Sequence, residues 1–92
     1  DLYELWDKQN GLCAYSKQPL TNEVNHLQMA SLDRIDSKQG YVKSNIQLLC
    51  FAVNKMKQEF SEEDFFKFCF FITDTKRKSH SNSNEPSKTD PL

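Results

Sequence analysis

Residues 31–57 read SLDRIDSKQGYVKSNIQLLCFAVNKMK, and this stretch decides the fold. Its first residues alternate as in a β-strand, which places Leu32 and Arg34 on one face and Asp33 on the other. Turn-forming residues follow, and they include Gly40, which we expect to take a positive φ. A second extended run and then a helical pattern complete the stretch. The predicted order is therefore strand, loop, strand, helix.

Polar residues stand at fixed points of this order. Asp33 and Arg34 end the first strand, Asn45 enters the second, and Asn54 lies in the helix. These landmarks resemble the ββα-metal finger of HNH nucleases, and the resemblance covers residues 9–57. The Asp-Arg-Ile-Asp motif is similar to that of a group of HNH-like proteins of phages and mobile elements. The resemblance implies an α+β fold: a two-stranded antiparallel hairpin and a helix, flanked by an N-terminal helix and a C-terminal Phe-rich helix.

The same resemblance implies a metal-dependent DNA endonuclease that hydrolyses phosphodiester bonds. Asp33 and Asn54 would hold one Mg²⁺ or Mn²⁺ ion, since carboxylate and amide oxygens are hard ligands suited to such cations. Asn45 would fix the loop through hydrogen bonds to its backbone. Arg34 stands where the family has its catalytic His. Because arginine stays protonated at ordinary pH, Arg34 can hold a phosphate group but cannot accept a proton.

The identity of the general base is therefore open. The attacking water could be activated by the metal ion, by Asp36, or by His26 from the preceding loop. A second hypothesis belongs to a different class of function: a catalytically inactive HNH-like module that binds DNA or another protein. A third is a small α/β interaction domain in which the finger pattern is a coincidence. Turnover with a divalent ion separates the first hypothesis from the other two.

The charge of the chain argues against a protein that coats DNA without specificity. The net charge is −1 and the pI is near 6.1, whereas such proteins are strongly basic. A local basic patch is still available in the finger segment. We expect four lysines of this patch to contact phosphates of DNA: Lys38, Lys43, Lys55 and Lys57.

The three cysteines lack the spacing of a disulfide framework, which suits a reducing compartment, so we expect a cytoplasmic protein. Many HNH domains carry a structural zinc ion held by two Cys-x-x-Cys pairs. Here the corresponding positions are Cys13 with Ser16 and Cys50 with Val53, so half of the ligands remain. We expect no structural zinc ion. Cys13 and Cys50 are remnants of such a site, and we expect Cys50 and Val53 to pack as apolar groups.

The segments that flank the finger read as helices. Apolar residues at helical spacing predict an N-terminal helix over residues 2–8, ended by Gly11 at its C′ position. Ser61 is a good N-cap for a Phe-rich helix with apolar residues on nearly every side. Such a helix is expected to be covered on more than one side. The finger would cover one side, and a second copy or the rest of a longer parent chain would cover another.

Composition divides the chain between residues 74 and 75. We expect residues 1–74 to form one HNH-like domain with its finger core at residues 31–57. Residues 75–92 are polar and bury almost no apolar surface, so we expect them to be disordered. No apolar run approaches the ~20 residues that cross a bilayer, and no contact with a membrane is expected.

Overall fold

A hairpin and its following helix form where the sequence pattern places them. The structure, a computed structural model, describes residues 2–81, with side chains through Ser79. Its elements in chain order are α1 Leu2–Lys8, β1 Ala30–Arg34, a 3₁₀ turn Lys43–Asn45, β2 Ile46–Cys50, α2 Phe51–Lys57 and α3 Glu62–Ser81. The predicted α+β class is confirmed: a two-stranded antiparallel hairpin with helices before and after it.

The register of the hairpin decides which side chains meet. Asp33 lies opposite Gln47. β1 begins at Ala30, one residue before the stretch 31–57, because Ala30 pairs with Cys50 at the end of β2. Asp33 is turned toward α2, where Lys57 contacts it. The hairpin and α2 therefore enclose polar as well as apolar side chains.

The hydrophobic core lies around β2. Leu49 is fully buried, and its neighbours Leu48 and Cys50 are nearly so. They pack with Cys13 and Leu20 from the segment before the hairpin. Side chains alternate along a strand, so burial of consecutive residues means that β2 is covered on both faces. Burying one Leu side chain contributes about 1.5–3 kcal/mol, which makes β2 the anchor of the fold.

The side chain of Gln9 covers the edge of β2. Its Nε2 donates to the carbonyl oxygens of Leu12 and Leu48 at 2.8 and 2.9 Å, and its Oε1 accepts from the Leu48 N–H at 2.9 Å. The amide thus pairs with the strand as a further strand would. This pairing ties the end of α1 to the hairpin.

The end of α1 is formed by two residues of left-handed conformation, Asn10 and Gly11, whose φ angles are 56° and 67°. The Gly11 N–H donates to the carbonyl of Trp6 at 2.9 Å, and the Asn10 N–H donates to that of Asp7 at 3.1 Å, which is a Schellman motif. Gly11 therefore lies at C″, one position later than predicted. Gly40 does not take a positive φ, so that prediction is wrong. Side-chain hydrogen bonds, described below, turn that loop instead.

α3 continues past the point where the sequence predicts a disordered tail. It includes the basic residues 76–78 and ends at Ser81, and cations near a helix C-terminus are favoured by the helix dipole. Residues 82–92 of the predicted tail lie outside the described residues. The chain divides into two units after Glu62, so almost all of α3 belongs to the second unit.

Candidate functional site

Asp33 is buried, and both of its carboxylate oxygens have partners. Lys57 Nζ lies 3.1 Å from Oδ1, and Gln47 Nε2 donates to Oδ2 at 3.0 Å. The Lys57 ammonium also donates to the carbonyl oxygen of Arg34 at 3.0 Å. Asp33 is 5% exposed and Lys57 is 0% exposed. The carboxylate and the ammonium therefore neutralise each other inside the fold.

Helix geometry brings Lys57 and Asn54 to the same strand. They are three residues apart in α2 and so share one face of the helix. Asn54 Nδ2 donates to Ser31 Oγ at 2.6 Å and to the carbonyl oxygen of Leu32 at 3.2 Å. Two polar side chains of α2 thus bind β1, Asn54 near the start of the strand and Lys57 near its end.

The resemblance implies a cation held by Asp33 and Asn54, and the present arrangement of these side chains does not fit one. An ammonium group already lies 3.1 Å from the Asp33 oxygen, and its charge repels a second cation. Asn54 donates to β1 only through Nδ2, and a cation would bind its Oδ1, so the misfit lies at Asp33. Among residues 2–79, no group of three or more His, Cys, Asp or Glu side chains is placed to hold a metal ion. Binding of Mg²⁺ or Mn²⁺ stays a prediction from the resemblance.

Asn45 holds the loop between the two strands. Its side chain accepts from the Asp36 N–H at 2.9 Å and donates to the carbonyl oxygens of Asp36 and Gly40 at 3.0 and 2.9 Å. Its own carbonyl accepts from the Ile35 N–H at 2.8 Å. Asn45 is 5% exposed, so these bonds are shielded from water. The geometry agrees with the role that the resemblance implies for this residue.

Arg34 extends from the end of β1 over this loop. Its guanidinium carbon lies 5.0 Å from the centroid of the Tyr41 ring, and Nη1 donates to the carbonyl oxygen of Gln39 at 3.2 Å. Tyr41 is exposed and Arg34 is half-buried. A guanidinium carries five N–H donors, so the stacked group keeps donors for a phosphate.

The two side chains that could act as the general base, Asp36 and His26, both accept hydrogen bonds from residues two or three positions further along the chain. Asp36 Oδ1 accepts from the Lys38 N–H at 2.9 Å, and its Oδ2 accepts from Gln39 Nε2 at 3.2 Å. His26 is exposed, and its Nδ1 accepts from the Gln28 N–H at 2.9 Å. The atoms that would take a proton from water thus already accept hydrogen bonds from the protein.

Three of the four lysines predicted to bind nucleic acid lie at the surface. Lys38 is exposed, and so is Lys55, whose Nζ lies over an aromatic ring of its own helix. Lys43 Nζ lies 3.3 Å from the carboxylate of Glu4. This hydrogen bond and the charge of Lys43 hold the pKa of Glu4 below its usual value. Lys57 lies in the interior instead, because its ammonium is paired with a buried carboxylate.

Cys13 and Cys50 lie together in the hydrophobic core. Burial opposes ionisation of Cys13, but hydrogen bonds from Ser16, including its N–H at 3.5 Å from Sγ, hold the pKa of this thiol below its usual value. Burial raises the pKa of Cys50. Val53 packs against the same cluster. Cys50 and Val53 therefore pack with apolar groups, as predicted, and Cys13 belongs to the same cluster.

Tyr15 donates a hydrogen bond to the carboxylate of Glu62 at 2.7 Å. Burial, and then this hydrogen bond, raise the pKa of Tyr15 above its usual value of about 10. The folded chain keeps the phenol proton at a pH where the unfolded chain releases it. The unfolded state then binds fewer protons than the folded state, so the free energy of unfolding falls as the pH rises above about 10.

When the pH is raised from about 8 to about 11, we expect the free energy of unfolding to fall less for Tyr15→Phe than for the wild-type chain. The reason is that the substitution removes the phenol that titrates. Urea denaturation at each pH measures the difference. Tyr3→Phe is the control, since Tyr3 is 85% exposed, and it should follow the wild-type curve. Equal losses in Tyr15→Phe and in the wild-type chain would assign the alkaline sensitivity to another group.

Three side chains that shape the site are given no role by the sequence pattern, although two of them, Tyr41 and Gln47, stand beside its landmarks. Gln47 binds Asp33, Tyr41 stacks on Arg34, and Gln9 covers the edge of β2. Gln47 could have been found from the hairpin alone, since a loop centred on residue 40 places residues 33 and 47 opposite each other. The contacts of Tyr41 and Gln9 depend on how the loop and α1 approach the strands. The local pattern of the sequence does not specify this approach.

The fold and the site define a small α+β domain. It consists of a hairpin, a loop held by the hydrogen bonds of Asn45, and a helix, and the ion pair of Asp33 and Lys57 is buried between the hairpin and the helix. The chain matches no protein-family model, no curated protein and no solved structure. Across residues 2–81, no helix is long and apolar enough to cross a membrane. A function for this chain therefore has to be argued from its own residues.

Proposed function

We propose that this chain binds nucleic acid through the loop of an HNH-like finger and does not hydrolyse it. The observation that carries the proposal is the buried pair of Asp33 and Lys57, whose 3.1 Å contact places an ammonium where a catalytic cation would bind. This pair removes the acidic group of the finger from contact with a phosphate. The basic groups of the loop stay at the surface.

The binding surface that we assign consists of Arg34, Lys38 and Tyr41, and we call it the loop surface. Arg34 stacks on Tyr41, and Lys38 is an exposed residue of the loop that carries Tyr41. The exposed ring can stack on a base, while the guanidinium and the ammonium hold phosphates. Asn45 keeps the loop backbone in one conformation, so these groups are ordered before binding.

The affinity of the loop surface is expected to be modest. The net charge of the chain is −1, so long-range attraction of a polyanion is weak. Two cationic side chains neutralise about two phosphates, which gives a shallow dependence of affinity on salt. Single-stranded nucleic acid is favoured over duplex, because its bases are free to stack on the ring of Tyr41.

Arg34→Ala is expected to weaken binding of a single-stranded oligonucleotide about tenfold and to reduce the salt slope by about one. The substitution removes a phosphate contact and one half of the stacked pair. Fluorescence anisotropy with a labelled oligonucleotide, titrated at several salt concentrations, measures both quantities. Lys8→Ala is the matched control, because Lys8 is exposed on α1 and lies outside the loop surface.

Two results would contradict this proposal. One is an affinity that Arg34→Ala leaves unchanged. The other is an equal loss in Arg34→Ala and Lys8→Ala, which would mean that binding follows total charge alone. A loss confined to Arg34→Ala supports the loop surface.

A metal-dependent endonuclease is the second candidate, and one observation favours it. Asn45 is hydrogen-bonded to the loop as the resemblance to HNH nucleases implies, within the same order of strand, loop, strand and helix. For this function Lys57 would leave Asp33, so that Asp33 and Asn54 could hold Mg²⁺ or Mn²⁺. The ion would supply charge stabilisation at the scissile phosphate. A group other than Arg34 would still have to act as the general base.

The two candidates are separated by nicking of a supercoiled plasmid with Mg²⁺, Mn²⁺ or EDTA. Asn54→Ala is the variant to use. Asp33→Ala is unsuitable, because it leaves the buried Lys57 ammonium without its carboxylate. Nicking that needs metal and disappears in Asn54→Ala would overturn the first proposal and support the endonuclease. Binding without nicking supports the first.

We also assign the chain to a reducing, cytoplasmic compartment. Its cysteines Cys13, Cys50 and Cys69 are all free thiols. Cys13 and Cys50 belong to one core cluster and are not joined by a disulfide bond, as expected in a reducing compartment.

A further inference from the structure

One side of α3 carries a stripe of exposed residues at alternating spacings of three and four. The stripe, which we call the α3 stripe, consists of Glu63, Phe66, Phe70, Thr73 and Arg77. These spacings return each residue to the same side of a helix and repeat every seven residues, which is the repeat by which two helices pack along their length. Phe66 and Phe70 are 45% and 57% exposed.

The charged ends of the α3 stripe are complementary to each other when the stripe is reversed. Glu63 and Arg77 lie at equal distances on either side of Phe70. A second copy that runs in the opposite direction and is centred on Phe70 therefore brings each Glu63 to the Arg77 of the other copy. In a parallel pair, like charges would meet instead. The antiparallel pair also opposes the two helix dipoles.

The charged ends of this stripe are available to another chain. Asp64 and Lys78, which lie on a different side of α3, form ion pairs within the helix, with Lys67 at 3.7 Å and with Asp74 at 3.1 Å. Glu63 and Arg77 form no ion pair with another residue among residues 2–79. Their charges are therefore not already used within the described part of the chain.

We propose that two copies of this chain associate through the α3 stripe in an antiparallel arrangement. Phe66 and Phe70 of both copies form the centre, and two ion pairs between Glu63 and Arg77 close the ends. An aromatic side chain buries about 150–250 Å². Because Phe66 and Phe70 are only about half exposed, two from each copy can bury about 500 Å² at most, which makes the interface a weak one. We expect a dissociation constant of about 10–100 μM.

Charge reversal tests the arrangement in the full chain by sedimentation equilibrium between about 5 and 500 μM. The wild-type chain should pass from 10.8 kDa to twice that mass. Glu63→Arg and Arg77→Glu should each weaken association about tenfold, since both ends of the pair then carry like charges. An equal mixture of the two variants should associate like the wild type, because each mixed pair has opposite charges at both ends.

Two further variants complete the test. Lys76→Glu makes the same charge change beside Arg77 but off the α3 stripe, and it should keep the wild-type dissociation constant. Phe70→Asp should abolish association while circular dichroism shows an unchanged helix content. A wild-type chain that stays monomeric up to the highest concentration overturns the proposal. So does a mixture of the two charge-reversed variants that associates no better than either variant alone.

Discussion

Lys57→Met is expected to lower the free energy of unfolding by about 3–5 kcal/mol. The substitution keeps the length of the side chain, but it leaves the carboxylate of Asp33 buried with Gln47 as its remaining side-chain partner. A buried carboxylate without a compensating charge costs several kcal/mol in lost hydration. Urea denaturation, followed by the fluorescence of Trp6, measures the change.

Lys55→Met is the matched control, because Lys55 lies on the exposed side of the same helix, and its effect should stay within about 0.5 kcal/mol. Adding Asp33→Asn to Lys57→Met should recover part of the loss, since the buried charge is then removed as well. A Lys57→Met chain as stable as the wild type would mean that the pair is open to water. Asp33 would then be available to a cation, and the endonuclease would become the better proposal.

The hairpin and α2 could be predicted because their determinants are local. Alternation along β1 places Asp33 and Leu32 on opposite faces, and the spacing of Asn54 and Lys57 places both on one face of a helix. Asn45 was identified through a resemblance, and its hydrogen bonds agree with that interpretation. These residues act on their near neighbours in the fold, so a pattern in the sequence is enough to indicate them.

The partners of Lys57 and Arg34 could not be predicted in the same way. A lysine on a short helix is exposed in most proteins, and Lys57 is buried only because α2 packs closely on β1. Arg34 meets Tyr41 because the loop folds back over the strand. The prediction for Gly40 failed because hydrogen bonds from the side chain of Asn45 turn the loop, so that no left-handed glycine is needed.

The extent of α3 shows the limit of an argument from composition. Polar residues after Thr75 bury little surface, and on that ground the sequence predicts disorder from this point. Lysine and arginine nevertheless have high helix propensity, and the ion pair between Asp74 and Lys78 at 3.1 Å joins residues four apart on the helix. These local contributions favour the continuation of the helix to Ser81.

Asn45→Ala is expected to lower the free energy of unfolding by about 2–4 kcal/mol. The side chain makes three hydrogen bonds to the loop backbone, at 2.9, 3.0 and 2.9 Å. Its loss leaves the N–H of Asp36 and the carbonyl oxygens of Asp36 and Gly40 without this partner, in a place that is shielded from water. Urea denaturation measures the loss. Limited proteolysis should also show faster cleavage between residues 36 and 44.

Ser44→Ala is the control, because Ser44 is exposed and adjacent, and it should leave both measurements unchanged. If the loop surface binds nucleic acid, Asn45→Ala should also weaken the oligonucleotide complex, although Asn45 is buried and does not reach the ligand. The reason is that Arg34 and Tyr41 would lose their fixed separation, and ordering them again would cost binding energy. A stability loss below about 1 kcal/mol with unchanged proteolysis would show that the turn at Asp36 and the contact of Arg34 with Gln39 hold the loop without Asn45.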